Sequence, residues 1–467
     1  MRARHSPSGE AAINFATLAF AAFLVVVVAG FWLLPRGART WWLLGASLAF
    51  YASWNATHVP GLLLLIGANY LLGLAAAGPH RRAATTVAIV LDLAVLGIFK
   101  YLDLAVGGGA SIVGWLTGEP VDWGGLGLIL PLAISFVTFT LIGYVVDVYR
   151  GAPPERDPIR FAVFIAFFPR VIAGPIMRGH QFLPQLRFRR GFSLAMVDMA
   201  VPLLVGGLLK KATADQLAPV VREGFGDITG HSSAALIVIA VALTFWLYLD
   251  FAGYTDLARG SARLLGIGLS RNFDWPYRSL SMGEFWRRWH MTLGAWLRDY
   301  VYFPLGGSRR GDARTYLNLM LTWSLAGLWH GAGLTYVAWG TLQGIALSIN
   351  RWWLHSRIHR PLPVLLSWLL TFTFVVFARI PFAAPDLSTA AAYVVGMVVP
   401  QPGTGPSLVL VAALALGIVG QWPGWVRLAR RLAPRRTQRR WLAYGVAAAL
   451  ALILLPTDAP DFIYQQF

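Results

Sequence analysis

His330 sits in the window TWSLAGLWHGAGLTYVAWG, residues 322–340, which contains no Asp, Glu, Lys or Arg. An imidazole in such surroundings can do acid–base chemistry. Desolvation disfavours the imidazolium, so the ring is expected to be neutral near pH 7 and able to take a proton from a hydroxyl. Gly327, Gly331 and Gly333 leave room beside it for a ligand or a second helix. The same window suits a structural histidine hydrogen-bonded between helices, and the local residues leave both readings open.

A second histidine, His290, lies in EFWRRWHMTLGAWLRDY. If residues 284–300 form one helix, Phe285, Trp289, Leu293 and Trp296 share a face, with Arg287, Arg288 and Arg298 away from it. His290 then turns toward an interior chamber or toward headgroups. Asp250 and Asp256 bracket Tyr254 in WLYLDFAGYTDLARG, directly after an apolar run. Carboxylates at that depth need a cation, for which Arg259, Arg263 and Arg298 are candidates, and ion-pair scaffolding is the expected role. The chain has no HExxH, GxSxG, GxxxxGK[ST] or EF-hand pattern. GIGLSRNFDW follows no expected strand, which argues against a dinucleotide site. His355 and His359 have i, i+4 spacing but fall in a basic loop without an acid, so no metal site is expected.

The elements that must position these groups are membrane helices. The 467 residues are 57% hydrophobic and 13% charged, against roughly 25% charged in a soluble domain. Apolar runs extend from residue 12 to residue 456 without a long polar block, which predicts one integral-membrane domain over 1–467. Candidate spans lie near residues 12–34, 41–56, 59–78, 84–105, 125–149, 160–177, 195–209, 233–252, 316–333, 335–353, 362–383, 405–422 and 441–456. About eleven of these are expected to cross fully, given the ~20 residues a spanning helix needs. The segments broken by Gly and Pro point to an internal chamber, since irregular backbone survives at membrane depth only inside protein or against a wet cavity. The first run, Ala11 to Leu34, is too long for a signal-peptide core and is expected to be an uncleaved helix.

Residues 256–315 differ: charges alternate with Trp, Tyr and Phe, as in helices lying at an interface or folded into a core. The net charge of +18 is scattered in clusters between apolar runs, which excludes a continuous nucleic-acid-binding face and suits topology signals and headgroup contacts. VRLARRLAPRRTQRR, residues 426–440, carries seven Arg and no acid and is expected on the cytoplasmic side, as is RWWLHSRIHR, residues 351–360. Cysteine is absent, which excludes disulfides, thiolate metal sites and Cys nucleophiles.

Several stretches taken together resemble the membrane-bound O-acyltransferase (MBOAT) family, within it the bacterial alginate O-acetyltransferase membrane subunits. They are FYASW (50–54), LPLAISFVTFTLIGYVVDVYRG (130–151), FFPRVIAGPIMRGHQFLPQL (167–186), LLKKATADQLAPVV (208–221), YLDFAGYTDLARGSARLLGI (248–267), NFDWPYRSLSMGEFWRRWHMTLGAWLRDYVYFPLGG (272–307), LAGLWHGAGLTYVAWGTLQG (325–344) and FIYQQF (462–467). They run in order along almost the whole chain, which departs from the family pattern at Arg170 and within FIYQQF.

The resemblance implies an all-α, polytopic membrane protein: a helical ring around a thinned core with a through-membrane tunnel, 256–315 in the core and 325–344 carrying the catalytic histidine. It implies that His330, in GLWHGA, is the catalytic base and that His290, in FWRRWH, supports it. Trp329, Trp286, Arg298, Asp299, Tyr254 and Asp250, from the same motifs, are the substrate-binding candidates. The implied reaction moves an acetyl group from a cytoplasmic thioester, acetyl-CoA or an acyl-carrier protein, toward an extracytoplasmic polysaccharide hydroxyl. No bound cofactor is implied. The implied partners are membrane lipids and a periplasmic acetyltransferase, and the implied location is the bacterial inner membrane. D-alanyl transfer to teichoic acid is an alternative within the same class. A transporter or flippase is the alternative outside it, since transporters also use broken helices and buried polar groups, but the two similar halves expected of one are not found.

Overall fold

The computed structural model describes residues 13–118, 125–172, 174–188, 191–358, 360–421 and 437–454. The arginine run from residue 426 to 436, His359 and FIYQQF lie outside them. Among the described residues the regular structure is helical, with no strand and one isolated bridge between His231 and Thr404. Two compact units are present. One holds the described residues up to Ala200 together with Ala258–Ser270; the other holds Val201–Leu257 and the described residues from Arg271 on.

The first unit begins with α1 (Leu18–Leu33), α2 (Arg39–Asn55), α3 (Val59–Ala75), α4 (Arg81–Thr117) and α5 (Ile134–Tyr149). The expected span at 160–177 is not one helix. It divides into α6 (Pro158–Ala166) and α7 (Phe168–Val171), followed by α8 (Gly179–Phe182). Pro169 lies in the first turn of α7, and its ring and missing N–H cannot continue the preceding helix. The break leaves buried carbonyls at the end of α6, and the Arg170 guanidinium, 4% exposed, donates to Phe164 O and Ile165 O and also to Thr140 Oγ1 at 3.1 Å. A cation at a helix C-terminus satisfies both the orphan acceptors and the helix dipole.

α9 (Leu194–Gly226) and α10 (Ser233–Leu264) follow. Within the second unit they cross backbone to backbone, because a Cβ on Gly207 would lie 2.9 Å from Gly253 O and one on Gly253 2.9 Å from Gly207 O. That approach brings Lys211 of α9 onto Asp250 of α10 at 3.1 Å, while Lys211 also pairs with Asp215 and Lys210 with Asp256. Lysines of α9 therefore pair with Asp250 and Asp256, cations that the sequence reading, which named Arg259, Arg263 and Arg298, did not include. Two helices joined through their glycines place these charges together, a placement that local spacing does not encode. The Lys211 ammonium also lies 5.6 Å from the centre of the Tyr254 ring.

The second unit continues with α11 (Met282–Arg288), α12 (Met291–Leu297), α13 (Asp312–His330), α14 (Leu334–His355), α15 (Val364–Ala383), α16 (Leu387–Val398) and α17 (Leu408–Gly420), and α18 spans Thr437–Leu454. Among the described residues three stretches are long and apolar enough to cross a membrane: Arg39–Ala75, Ser233–Leu264 and Val364–Ala383. Leu18–Leu33, Ile134–Tyr149, Leu387–Val398 and Leu408–Gly420 are apolar but shorter.

Candidate active site

His330 is the last residue of α13 and is 4% exposed. Gly331 ends the helix in an extended conformation, and the chain re-enters helix at Leu334. α14 folds back on α13 with almost no space between the backbones: a Cβ on Gly327 would strike Tyr336 O, and one on Gly340 would strike Trp323 O. The glycines near His330 therefore do admit a second helix, and that helix is α14. At Gly331 the neighbouring space is filled by the Tyr336 ring. Ser324 Oγ and Thr341 Oγ1, 3.1 Å apart, fix the same crossing with a hydrogen bond.

Three aromatic rings pack around the imidazole. Trp329 lies at 4.9 Å, Trp339 of α14 at 5.0 Å and perpendicular, and Phe382 of α15 at 5.2 Å, all edge to face. Such contacts contribute about 0.5–1.5 kcal/mol each beyond simple area burial and favour one ring orientation. Trp339 is 1% exposed, and its indole N–H has no hydrogen-bond partner among the described residues.

His290 is 1% exposed and sits between α11 and α12 with φ 41° and ψ 53°, the left-handed region. The continuous helix considered over residues 284–300 is therefore broken at His290. The break is held by backbone bonds to the segment before α11: Asp274 N donates to Arg288 O at 3.0 Å, and Met291 N donates to Asn272 O at 2.9 Å. Thr292 Oγ1 adds a bond to Asn272 Oδ1 at 2.6 Å. A non-glycine residue held in this region by its surroundings stores strain of order 1–3 kcal/mol, a cost found most often at functional sites. The four residues assigned to one face, Phe285, Trp289, Leu293 and Trp296, are all buried despite the break.

The His290 ring lies 4.7 Å from Phe251 and 6.3 Å from Trp329, the ring that also touches His330. Its Nε2 has no hydrogen-bond partner among the described residues. Burial pushes the His290 imidazole down from 6.5 to about 3, so the ring is neutral. Beside it, the Arg379 guanidinium of α15 stacks 4.0 Å from the Trp289 ring centre.

The other candidates separate into groups. Trp286 joins the site's periphery, bonded to Gln343 Oε1 at 3.2 Å and 6.0 Å from Trp339. Asp250 and Tyr254 belong to the Lys211 cluster, with Phe251 between them reaching His290. Arg298 and Asp299 pair with each other at 2.8 Å, and the Arg298 side chain is 58% exposed. Trp339, Phe251, Phe382 and Arg379 were not among the sequence candidates. Trp339 falls within the 325–344 segment and was findable there; Phe382 and Arg379 arrive on α15, which carries no local signal. Among the described residues no group of three or more His, Cys, Asp or Glu could hold a metal ion.

Residues 156–362, which include both histidines, match the model of the membrane-bound O-acyltransferase family. The chain is 35% identical over 420 residues to the peptidoglycan O-acetyltransferase of Helicobacter pylori, covering 81% of this chain and 78% of that one. It is 39% identical over 377 residues to the probable alginate O-acetylase of Pseudomonas aeruginosa, covering 79% and 71%. It is also 31% identical over 257 residues to the teichoic acid D-alanyltransferase of Streptococcus thermophilus, covering 51% and 61%. Similarity of this length to enzymes sets aside the transporter reading, and the chain belongs to the membrane-bound O-acyltransferase family.

Proposed function

We propose that this membrane O-acyltransferase moves an acetyl group from a cytoplasmic thioester, acetyl-CoA or an acylated carrier protein, toward a hydroxyl of an extracytoplasmic polysaccharide, with His330 as general base. The observation that carries this reading is the buried His330 imidazole at the C-terminal end of α13, walled by Trp329, Trp339 and Phe382. In the transfer, a ring nitrogen takes the hydroxyl proton as the oxygen bonds to the thioester carbonyl carbon. The C–S bond then breaks, and the departing thiolate takes that proton from the imidazolium. The apolar cage favours the neutral ring that begins the step. The end of α13 favours the cation that forms during it, by about 0.3–1 kcal/mol and up to ~2 kcal/mol in a partly buried site. These opposed effects suit a base that must both accept and return a proton.

His290, neutral and with Nε2 open, is assigned to hold substrate from the far side of Trp329, and Trp286 to shape the wall. Asp250 and Tyr254 support it through the Lys211 cluster, and Arg298 with Asp299 contact the donor where the side chains reach solvent. The protein is placed as a multi-pass protein of the bacterial inner membrane, working with a periplasmic acetyltransferase. D-alanyl transfer is the second reading, favoured by the likeness to a teichoic acid D-alanyltransferase over 51% of the chain. Membranes bearing the protein, supplied with radiolabelled acetyl-CoA, should pass label to glycan, and His330→Ala should abolish it. Label arriving only from D-alanine selects the second reading, and undiminished acetylation by His330→Ala removes the base assignment.

A further inference from the structure

From the geometry around His330 we infer that Trp339 is the oxyanion donor of this site: its indole N–H hydrogen-bonds the acyl carbonyl oxygen as that oxygen gains charge. The inference rests on the acyl-transfer reading above and assigns a residue that neither the motif nor the charge pattern singled out. Five other indoles among the described residues donate to a named acceptor. Trp32 donates to Leu264 O at 2.9 Å, Trp42 to Val27 O at 2.9 Å, Trp54 to Ile13 O at 3.2 Å, Trp286 to Gln343 Oε1 at 3.2 Å and Trp368 to Tyr277 O at 2.8 Å. Trp339 is 1% exposed and its N–H is bonded to none of the described residues, although a buried donor without a partner loses its bond to water and gains none in return. This open donor belongs to the ring that meets the His330 ring edge to face at 5.0 Å.

The chemistry narrows what this donor can serve. An indole N–H donates and neither accepts nor titrates near neutral pH, so it cannot be a second base and must await an acceptor. When the hydroxyl oxygen bonds to the carbonyl carbon, the C=O π pair moves onto oxygen, and that oxyanion forms within reach of the base that took the proton. Reforming C=O expels the thiolate, which is protonated by His330, so atoms and charges balance. Trp339 is also held rigidly: the next residue, Gly340, lies against the α13 backbone, and the ring packs on Phe382 at 5.2 Å. A donor fixed before the charge develops costs no reorganisation, which is how such groups accelerate acyl transfer.

The test uses the full-length protein in membranes with the thioester donor that the wild type accepts. Trp339→Phe deletes the N–H, and 3-benzothienylalanine at position 339 replaces N–H with sulfur while keeping the bicyclic ring. Both should lower kcat about 10²-fold with KM within about 3-fold. Wild-type kcat in the benzothienylalanine protein overturns the inference, whether or not Trp339→Phe folds, because it assigns the residue to packing alone. His330→Ala in parallel separates the two claims: if it retains full activity the acyl-transfer reading fails, and if it is inactive while both Trp339 variants are normal only the donor assignment fails.

Discussion

Lys211 and His290 are equally buried, each 1% exposed, and both belong to the second unit, yet their surroundings follow opposite rules. Lys211 is closed on itself: Asp215 on its own helix and Asp250 on α10 both pair with it, and the Tyr254 ring covers it. The histidine region leaves neutral groups open: His290 Nε2 and Trp339 Nε1 have no partner among the described residues. A buried charge must be compensated within the protein or it costs several kcal/mol. A neutral ring nitrogen or indole can wait for a substrate at much lower cost. The difference separates a polar cluster that holds two helices together from the one proposed to do the chemistry.

Breaking the open region should alter rate, and breaking the closed one stability. His330→Ala has the largest expected effect, a loss of at least ~10³-fold in acyl transfer, equivalent to about 4 kcal/mol, with the protein still inserted and folded. Lys211→Met comes next. It leaves Asp215 and Asp250 buried beside each other without their cation, a loss of about 3–5 kcal/mol in stability. Folded yield and unfolding midpoint in detergent measure it, and adding Asp215→Asn and Asp250→Asn should restore most of the loss. If Lys211→Met instead left stability intact and abolished kcat, the cluster would belong to the chemistry and the contrast would collapse.

The third prediction uses acid. His290 lies between α11 and α12, outside the three stretches long enough to cross a membrane, and burial lowers it from 6.5 to about 3. The unfolded chain therefore binds a proton between those values that the folded chain does not. Its contribution to stability is complete above pH 6.5 and is lost as pH falls, on the order of 1.4 kcal/mol per pH unit. His290→Asn, which tolerates the left-handed backbone and does not titrate, should flatten the decline in unfolding midpoint between pH 6.5 and 5. Identical slopes in the two proteins would show that His290 is not kept neutral.

The sequence made the membrane character plain because so few charged residues must cover so much apolar surface, and it marked His330 because no charge lies within the window around it. The break at His290 was illegible. Residues 284–300 keep a helical period through it, and the backbone bonds that impose φ 41° come from Asn272 and Asp274, in a segment with no pattern of its own. Lys211 as a cation facing Asp250 was missed for a related reason. Nearby arginines were the local choice, but the Gly207–Gly253 crossing delivers Lys211 from another helix. Phe382 escaped notice because α15 is apolar along its length and only packing selects the residue that meets His330.

Ser281→Ala is the mildest probe, because it loosens the open region without touching it. α11 has seven residues, too few to be helical by propensity alone, so its ends matter. Ser281 Oγ accepts from Glu284 N at 3.2 Å, and Glu284 returns the favour by accepting from Leu280 N at 2.9 Å and pairing with Arg288 at 2.9 Å. Removing the cap should cost about 1 kcal/mol, and Ser281→Asp should restore it. The rate should change less than about 3-fold, because the Asn272 and Asp274 backbone bonds hold the His290 break independently of the cap. Kinetics and unfolding measured on the same preparation decide the matter. A rate loss approaching that of His330→Ala, with stability nearly unchanged, would mean that α11 positions the chemistry more tightly than those backbone bonds imply.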